Sequence, residues 1–421
     1  MLSVEESTLL TRVGPGSKMG DFMRQYWIPA AKSSELVADG APVRLMLLGE
    51  QLIAFRDSAG RVGVMDHRCP HRCASLFYGR NEENGLRCVY HGWKYDVDGN
   101  CLDMANVPPH QDFKGKVRAK AYPARERNGV VWTYMGPRKE PPPLPAIEAA
   151  LLPVGKTAIT FVQRECNWLQ AIEGEIDTSH FGFLHAGHLD YRKLTPDNPH
   201  YYTVFSRTPE YHCAETDWGT MYAAYRDADA DHVHYRWAQY LFPFWTEIPQ
   251  GDFEQHFNAR AWVPMDDTHT MFVMLASDRF EAPECLPNTS DWYGRWRVAG
   301  NRGNDHLIDR DAQRDMTSYT GIEGVHQQDQ AITESMGPIV DHSFETLAPS
   351  DRMIAQTRRR MLRAVRDFAD KGIVPPGVDN PDIFMGARSG QFVAPRNAEW
   401  QRVYRDKLAA SRRVSSLLVP A

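Results

Sequence analysis

Over the first third of the chain, apolar positions come in short runs separated by turn signals. Val43–Leu48 and Leu52–Phe55 flank Gly49-Glu50, Ala59-Gly60 precedes Val62–Met65, Asp98-Gly99 follows Trp93–Val97, and Asn128-Gly129 divides two further runs. Strand-length runs between such turns predict antiparallel hairpins, and several in succession predict a β-sandwich ending near Met135. Ahead of it, residues 5–12 predict a short helix closed by Gly14-Pro15-Gly16, and Asp21–Tyr26 a helical turn ended before Pro29. Gly136-Pro137, Pro141-Pro142-Pro143 and Pro145 then interrupt all periodicity and read as a stiff spacer. Beyond Pro153 the pattern lengthens. Thr157–Glu165 predicts a strand and Trp168 to about His185 a helix. Residues 201–276 alternate like long strands, including His232–Tyr240, Arg260–Pro264 and Met271–Ala276, and residues 307–336 and 350–371 predict helices. The expected fold is α+β. An N-terminal antiparallel β-sandwich would occupy residues 1–140, and a helix-grip-like antiparallel sheet wrapped around helices residues 141–421.

Composition narrows the class. Hydrophobic residues are 42% and charged residues 24% of 421, ordinary for a soluble globular enzyme, and a net charge of −6 gives no reason to expect nucleic acid as a partner. Seven scattered cysteines show no disulfide framework, which suits a reducing compartment. Met1–Thr11 has no apolar core of signal-peptide length and no stretch approaches a transmembrane span, so no membrane is expected and the expected location is cytoplasmic.

The chemistry begins at Cys69. Cys69-Pro70-His71 is followed, after sixteen residues, by Cys88-Val89-Tyr90-His91. Two thiolates and two imidazoles suit either a zinc ion or a two-iron cluster with cysteines on one iron and histidines on the other. Zinc fingers usually place a cysteine pair before a histidine pair. Here each loop carries one of each, so the ligands can sort by type onto two irons. The flanking Gly92-Trp93-Lys94-Tyr95 and the extra Cys73 fit a cluster loop shielded by aromatics. The segment resembles the Rieske iron–sulfur domain.

A second site follows in Asp177-Thr178-Ser179-His180-Phe181-Gly182-Phe183-Leu184-His185. On a straight helix His180 and His185 stand roughly 140° apart with Asp177 pointing between them. One metal cannot take both imidazoles in that geometry, which predicts a helix end or bend near Gly182. A third, anionic ligand is expected from Asp329. It sits within an apolar stripe of Ile322, Val325, Ile332 and Met336, where an unpaired carboxylate would be costly. Two imidazoles and a carboxylate on one face of iron(II) leave positions open for dioxygen and substrate. Asp315 is the rival third ligand. His188, His232 and His234 read as ordinary core or surface histidines, and Glu173 and Glu175 as structural groups.

Taken together, Asn167-Trp168 with Gln170, Ser179-His180, Phe183-Leu184-His185, and Gln328-Asp329-Gln330 ahead of Glu334-Ser335-Met336-Gly337-Pro338 resemble the oxygenase component of Rieske non-heme iron oxygenases, in the phthalate dioxygenase-like group. The resemblance implies that Cys69, His71, Cys88 and His91 hold a [2Fe-2S] cluster, and that His180, His185 and Asp329 hold a mononuclear Fe(II). It implies NADH-derived electrons delivered by a partner reductase, possibly through a ferredoxin. It also implies a head-to-tail homotrimer or a stacked pair of trimers, in which Asp177 joins His91 of a neighbour to His180. The chemistry implied is O2-dependent oxidation of an aromatic acid of phthalate or lignin origin, by ring hydroxylation or O-demethylation. Expected substrate-side residues are Phe181, Leu184 and Ile172 with the aromatics of Phe242-Pro243-Phe244-Trp245, and Arg207 or Arg236 as a carboxylate anchor. The alternatives are a Rieske electron carrier, for which the chain is far too long, and a hydrophobic-ligand binding module without catalysis.

Overall fold

The computed structural model describes residues 2–153, 155–186, 194–195, 198, 200–277, 283–411 and 413. Every strand ladder is antiparallel. Three small sheets fill the N-terminal part. Val43–Leu47, Glu50–Arg56, Val62–Asp66 and Ala121–Tyr122 form one, and Arg80–Glu82, Gly85–Arg87, Trp93–Tyr95 and Cys101–Met104 a second. Trp27–Lys32 joins Val130–Tyr134 and Ala124–Arg127 in the third. The predicted Asn128-Gly129 turn closes the last hairpin with both residues at positive φ (54° and 76°), the conformation that matches the twist of a tight hairpin. Between the first two of these sheets lies a separate small core of Ile53, Phe55, Met65, Leu76, Leu86, Trp93 and Tyr95, and both Cys69 and Cys88 are buried in it.

The C-terminal part is built on an eight-stranded sheet. Its order runs Ala158–Arg164, Thr270–Ala276, Asn258–Pro264, Trp245–Glu247, His232–Leu241, Gly219–Asp227, Glu210–Glu215, with Gly390–Pro395 also pairing His232–Leu241. The helix Val325–Ser335 packs on Trp168–Ile176, which packs on the sheet, as does Arg352–Lys371. The last is the most amphipathic. It buries Met353, Met361, Leu362 and Val365 and ends at Gly372, whose left-handed backbone (φ 68°, ψ 21°) caps it. The helix Val4–Thr11 opens with a Ser3/Glu6 capping box. It packs here too: Asn167 Nδ2 donates to the Thr11 carbonyl (2.9 Å) and Trp168 Nε1 to that of Leu10 (3.1 Å). No helix among the described residues is long and apolar enough to cross a membrane.

Several expectations fail locally. The helix expected to reach His185 stops at Ile176, well before Gly182. Asp177 Oδ1 accepts from both the Ser179 amide (2.7 Å) and hydroxyl (2.8 Å), and this Asx turn competes with the helical backbone. A separate short helix, Phe181–Leu184, follows. The helix expected over 307–336 is two helices, Arg310–Arg314 and Val325–Ser335, parted by Gly321 and Gly324 at positive φ. The apolar stripe read on the second of them is not its buried face. Ile332 and Met336 are 43% and 45% exposed, whereas His326, Gln328, Gln330, Ala331, Thr333 and Glu334 are buried. The buried amides are paired instead: Gln330 Nε2 donates to Glu334 Oε1 (2.8 Å) and Gln328 Nε2 to the Ile322 carbonyl (2.8 Å). Residues 201–205, expected to be extended, are helical, and the helix Trp400–Ala410 was not anticipated.

Candidate active site

Two loops of matching shape carry the first candidate ligand set. The Cys73 amide donates to the Cys69 carbonyl and the Gly92 amide to that of Cys88, both at 2.9 Å, and both donors sit at positive φ. The loops bring the rings of His71 and His91 to 4.4 Å. Trp93 stacks on His71 at 4.3 Å and is tied by its Nε1 to Asn106 (2.7 Å). Tyr95 Oη lies 3.4 Å from Cys69 Sγ, and burial pushes the Cys69 thiol up. His91 Nδ1 is buried without a hydrogen-bond partner among the described residues. Around one zinc ion all four donor atoms would crowd to well under 5 Å. Among the described residues only His180, His185 and Asp329 converge as such a group. A cysteine pair and a histidine pair that do not share one centre fit a two-iron cluster. Cys73 is exposed.

The second set does converge: the donor atoms of His180, His185 and Asp329 all lie within 4.8 Å of one another. The break at Asp177 is what makes this possible, because it turns His180 out of line with the preceding helix. Asp329 Oδ1 is 3.1 Å from His185 Nε2 and 3.5 Å from His180 Nε2. Behind them, Asp177 Oδ2 faces His180 Nδ1 at 3.5 Å, and Gln328 Oε1 accepts from His185 Nδ1 at 2.7 Å. Burial works to raise the Asp329 carboxyl, but the His185 hydrogen bond and the nearby His180 and Arg164 outweigh it and hold it well below the usual range. Burial is likewise outweighed at Asp177, where His180 and Ser179 hold the carboxyl low, and at His180, which its acids raise. Asp315 lies elsewhere, exposed and paired with Arg314 at 3.5 Å.

A cavity of about 90 Å³ adjoins this triad, and Asp177, Phe181, Tyr222, Arg236, Arg260 and His326 are among the residues lining it. Phe181 and Arg236 therefore stand where expected. Leu184, Ile172 and Phe244 do not line it. Ile172 and Phe244 are fully buried in the main core, and Phe242 and Trp245 border a separate small void beside Trp27. Arg207 is exposed and lies over the Phe183 ring, so it is not a wall residue. Glu175 pairs with Arg260 at the cavity's edge, and Glu173 pairs with Arg358 in the interior. His232 pairs with Asp229 on the surface, and His234 is buried against Tyr202, burial pushing it down to about 3. His188 falls outside the described residues.

Arg236 reaches the cavity by sheet register. It pairs across the ladder with Ala224, and Ala224 pairs with Tyr211, so these three share one face, with Tyr222 and Arg226 two residues away on the same face. The small alanine leaves the space the guanidinium occupies. Arg236 is 4% exposed. Its Nη1 donates to Thr203 Oγ1 (3.0 Å), and the guanidinium lies 4.9 Å above the Phe181 ring, whose centre is 5.3 Å from that of His185. It has no carboxylate partner among the described residues, and burial pulls its pKa down. Arg236 Nε, Arg226 Nη1 and the hydroxyls of Tyr211, Tyr222 and Thr178 are all buried without a well-aligned partner, the last two close to each other. Every one of these groups can donate, and none of them has a carboxylate bonded to it among the described residues. Of this group, sequence inspection picked out only Arg236. The signal for the others was alternation, Tyr222-x-Ala224-x-Arg226 facing His234-x-Arg236 on adjacent strands.

Residues 26–122 match the Rieske [2Fe-2S] domain, and residues 133–416 match the LigXa C-terminal domain-like family. The chain is 49% identical to the oxygenase subunit of 3-chlorobenzoate-3,4-dioxygenase from Comamonas testosteroni, over 97% of its own length and 99% of the relative's. The chain belongs to the Rieske non-heme iron oxygenases, as an oxygenase (alpha) subunit. A second relative within this family of oxygenases is the oxygenase subunit of phthalate 4,5-dioxygenase from Pseudomonas putida, 36% identical over 95% and 94% of the two chains. The fold is also that of dicamba monooxygenase solved with dicamba (TM-score 0.58, 16% identity, 83% of this chain and 99% of that one). As a Rieske oxygenase subunit the protein is one component of a multicomponent oxidoreductase that carries a [2Fe-2S] cluster and a mononuclear iron.

Proposed function

We propose that this oxygenase subunit dihydroxylates the ring of a small aromatic carboxylic acid. The single observation carrying the substrate class is the buried Arg236 beside the triad, which has donor groups around it and no carboxylate partner among the described residues. A desolvated guanidinium without an anion is costly, and a substrate carboxylate removes that cost on binding. Two near-full-length relatives named for dioxygenation of benzoate-type acids support the same class and favour ring oxidation over O-demethylation.

In this reading Cys69, His71, Cys88 and His91 hold the cluster, and His180, His185 and Asp329 hold the iron. When bound, the cluster supplies single electrons and the iron activates dioxygen. The chain's own residues do the rest. Arg236 anchors the carboxylate, and Phe181 spaces the aromatic ring from His185. Asp177 keeps His180 oriented through Nδ1 and stands ready to accept a proton there. Electrons arrive from a reductase, possibly through a ferredoxin. Assembly is head-to-tail in a trimer, or a stacked pair of trimers, so that the cluster tip of one subunit meets Asp177 of the next. Exposed apolar residues at the tip (Val89, 58%; Tyr90, 55%) and beside the triad (Phe183, 46%; Ile332, 43%; Met336, 45%) support that docking.

The test is turnover of purified protein with a surrogate reductase and NADH on matched benzoates, phthalates, benzamides and methoxybenzoates. Ring diols from the acids, with little turnover of the amides, are expected. Turnover confined to neutral aromatics, or formaldehyde as the main product, would refute the proposal.

A further inference from the structure

The two histidines of the triad are held from behind in different ways, and the difference points to a residue with no assigned part in this reaction. His180 has a carboxylate at its Nδ1, Asp177 at 3.5 Å. His185 has a neutral amide, Gln328 at 2.7 Å. Amide oxygen and nitrogen are told apart by their hydrogen-bond partners. Gln328 Nε2 points at the backbone carbonyl of Ile322 (2.8 Å), and a carbonyl only accepts. The opposite amide orientation would set two oxygens against each other. Gln328 therefore presents Oε1 to His185, and His185 must carry its proton on Nδ1. Nε2 faces the Asp329 carboxylate oxygen 3.1 Å away and, with Nδ1 committed to Gln328, is the nitrogen left for a shared metal in place of that hydrogen bond. Both Gln328 and His185 are 5% exposed, so water does not compete for this bond.

We propose that Gln328 is a positioning residue that fixes the tautomer and ring plane of His185, with the Ile322 carbonyl choosing which way the amide faces. The helix Val325–Ser335 thus contributes twice to the metal site, through the Asp329 carboxylate and through its neighbour in sequence, which orients the opposing imidazole. This inference rests on the reading that His180, His185 and Asp329 hold iron.

The experiment strips the mononuclear site with a chelator, checks the cluster by its visible spectrum, and measures Fe(II) rebinding by anaerobic equilibrium dialysis. Gln328→Met, nearly isosteric but unable to accept, should bind Fe(II) about 10- to 100-fold more weakly with the cluster spectrum unchanged. Gln328→Glu, protonated in this buried site so that one oxygen donates to the Ile322 carbonyl, keeps the other as an acceptor for Nδ1–H and should stay within about threefold of the unmodified protein. Gln330→Met removes another buried amide of the same helix, one that bonds Glu334 and the Gln163 carbonyl, and should leave Fe(II) affinity unchanged. The proposal is overturned if Gln328→Met rebinds Fe(II) within twofold of the unmodified protein. It is also overturned if Gln328→Glu loses as much as Gln328→Met, or if Gln330→Met loses as much. Failure of the unmodified protein to take up Fe(II) beyond its cluster would overturn the iron assignment itself, a result distinct from the other three.

Discussion

Replacing Arg236 with Met separates a carboxylate anchor from a structural arginine, because the two roles predict opposite signs for stability and binding. In the substrate-free protein Arg236 contributes one hydrogen bond, to Thr203, and a contact over Phe181. Together these are worth about 3 kcal/mol when desolvated. Against them stands the penalty for burying a cation with no anion beside it, several kcal/mol. The variant should therefore be at least as stable as the parent in thermal unfolding. Substrate binding should move the other way. A two-point grip on a carboxylate is worth about 3 kcal/mol net, so calorimetric titration should show benzoate weakened roughly 100-fold. Benzamide, which never gains the charge pairing, should change little, and the preference for acid over amide should collapse. A less stable variant that binds benzoate as before would refute the reasoning and make Arg236 a structural residue.

Four further outcomes are expected. His180→Ala should keep the cluster's visible spectrum while iron falls from about three to about two per chain; loss of the cluster spectrum would contradict the assignment of the two ligand sets. Asp177→Asn should retain both iron centres yet oxidise NADH without forming product, and normal coupling measured as product per NADH would remove its bridging role. Tyr90→Asp should leave both centres loaded but dissociate the assembly in size-exclusion chromatography, with turnover lost; an intact, active oligomer would move the interface elsewhere. Glu247 is buried, and burial pushes its carboxyl up to about 8, partly opposed by Arg388. The folded state therefore holds a proton that the unfolded chain gives up near pH 4.5, so stability is full below that and is lost as pH rises through about 8. Glu247→Gln should flatten the fall in melting temperature between pH 5 and 8, and an unchanged slope would show that Glu247 does not hold that proton.

The parts legible in the chain were those with local signatures. The hairpin turns, the paired Cys-His loops and the two histidines of the triad are written in short spacings, and the residues named for the triad do converge. Asp329 was found for an incorrect reason: the stripe that seemed to bury it is half exposed, and the face that packs inward is made of paired amides and hydroxyls that no hydrophobicity pattern reveals. The helix break was expected near Gly182 because one metal cannot take both imidazoles from a straight helix, but Asp177 supplied a side-chain acceptor for Ser179 five residues earlier. The cavity wall was least legible. Phe242 to Trp245 look like a pocket by composition, yet the turn between two strands packs them into the core, while strand register brings Tyr222 and Arg236 to the cavity, and register is a property of neighbouring strands.

The small core of the N-terminal half has a consequence for how the protein matures. Cys69 and Cys88 are packed among Ile53, Met65, Leu86 and Tyr95 in a core separate from the main one. On the assignment proposed for these cysteines, inserting the cluster and closing this half of the molecule are one event. A chain made without the cluster would leave the two cysteine-histidine loops with nothing between them, so limited proteolysis of protein made without iron should cut there first.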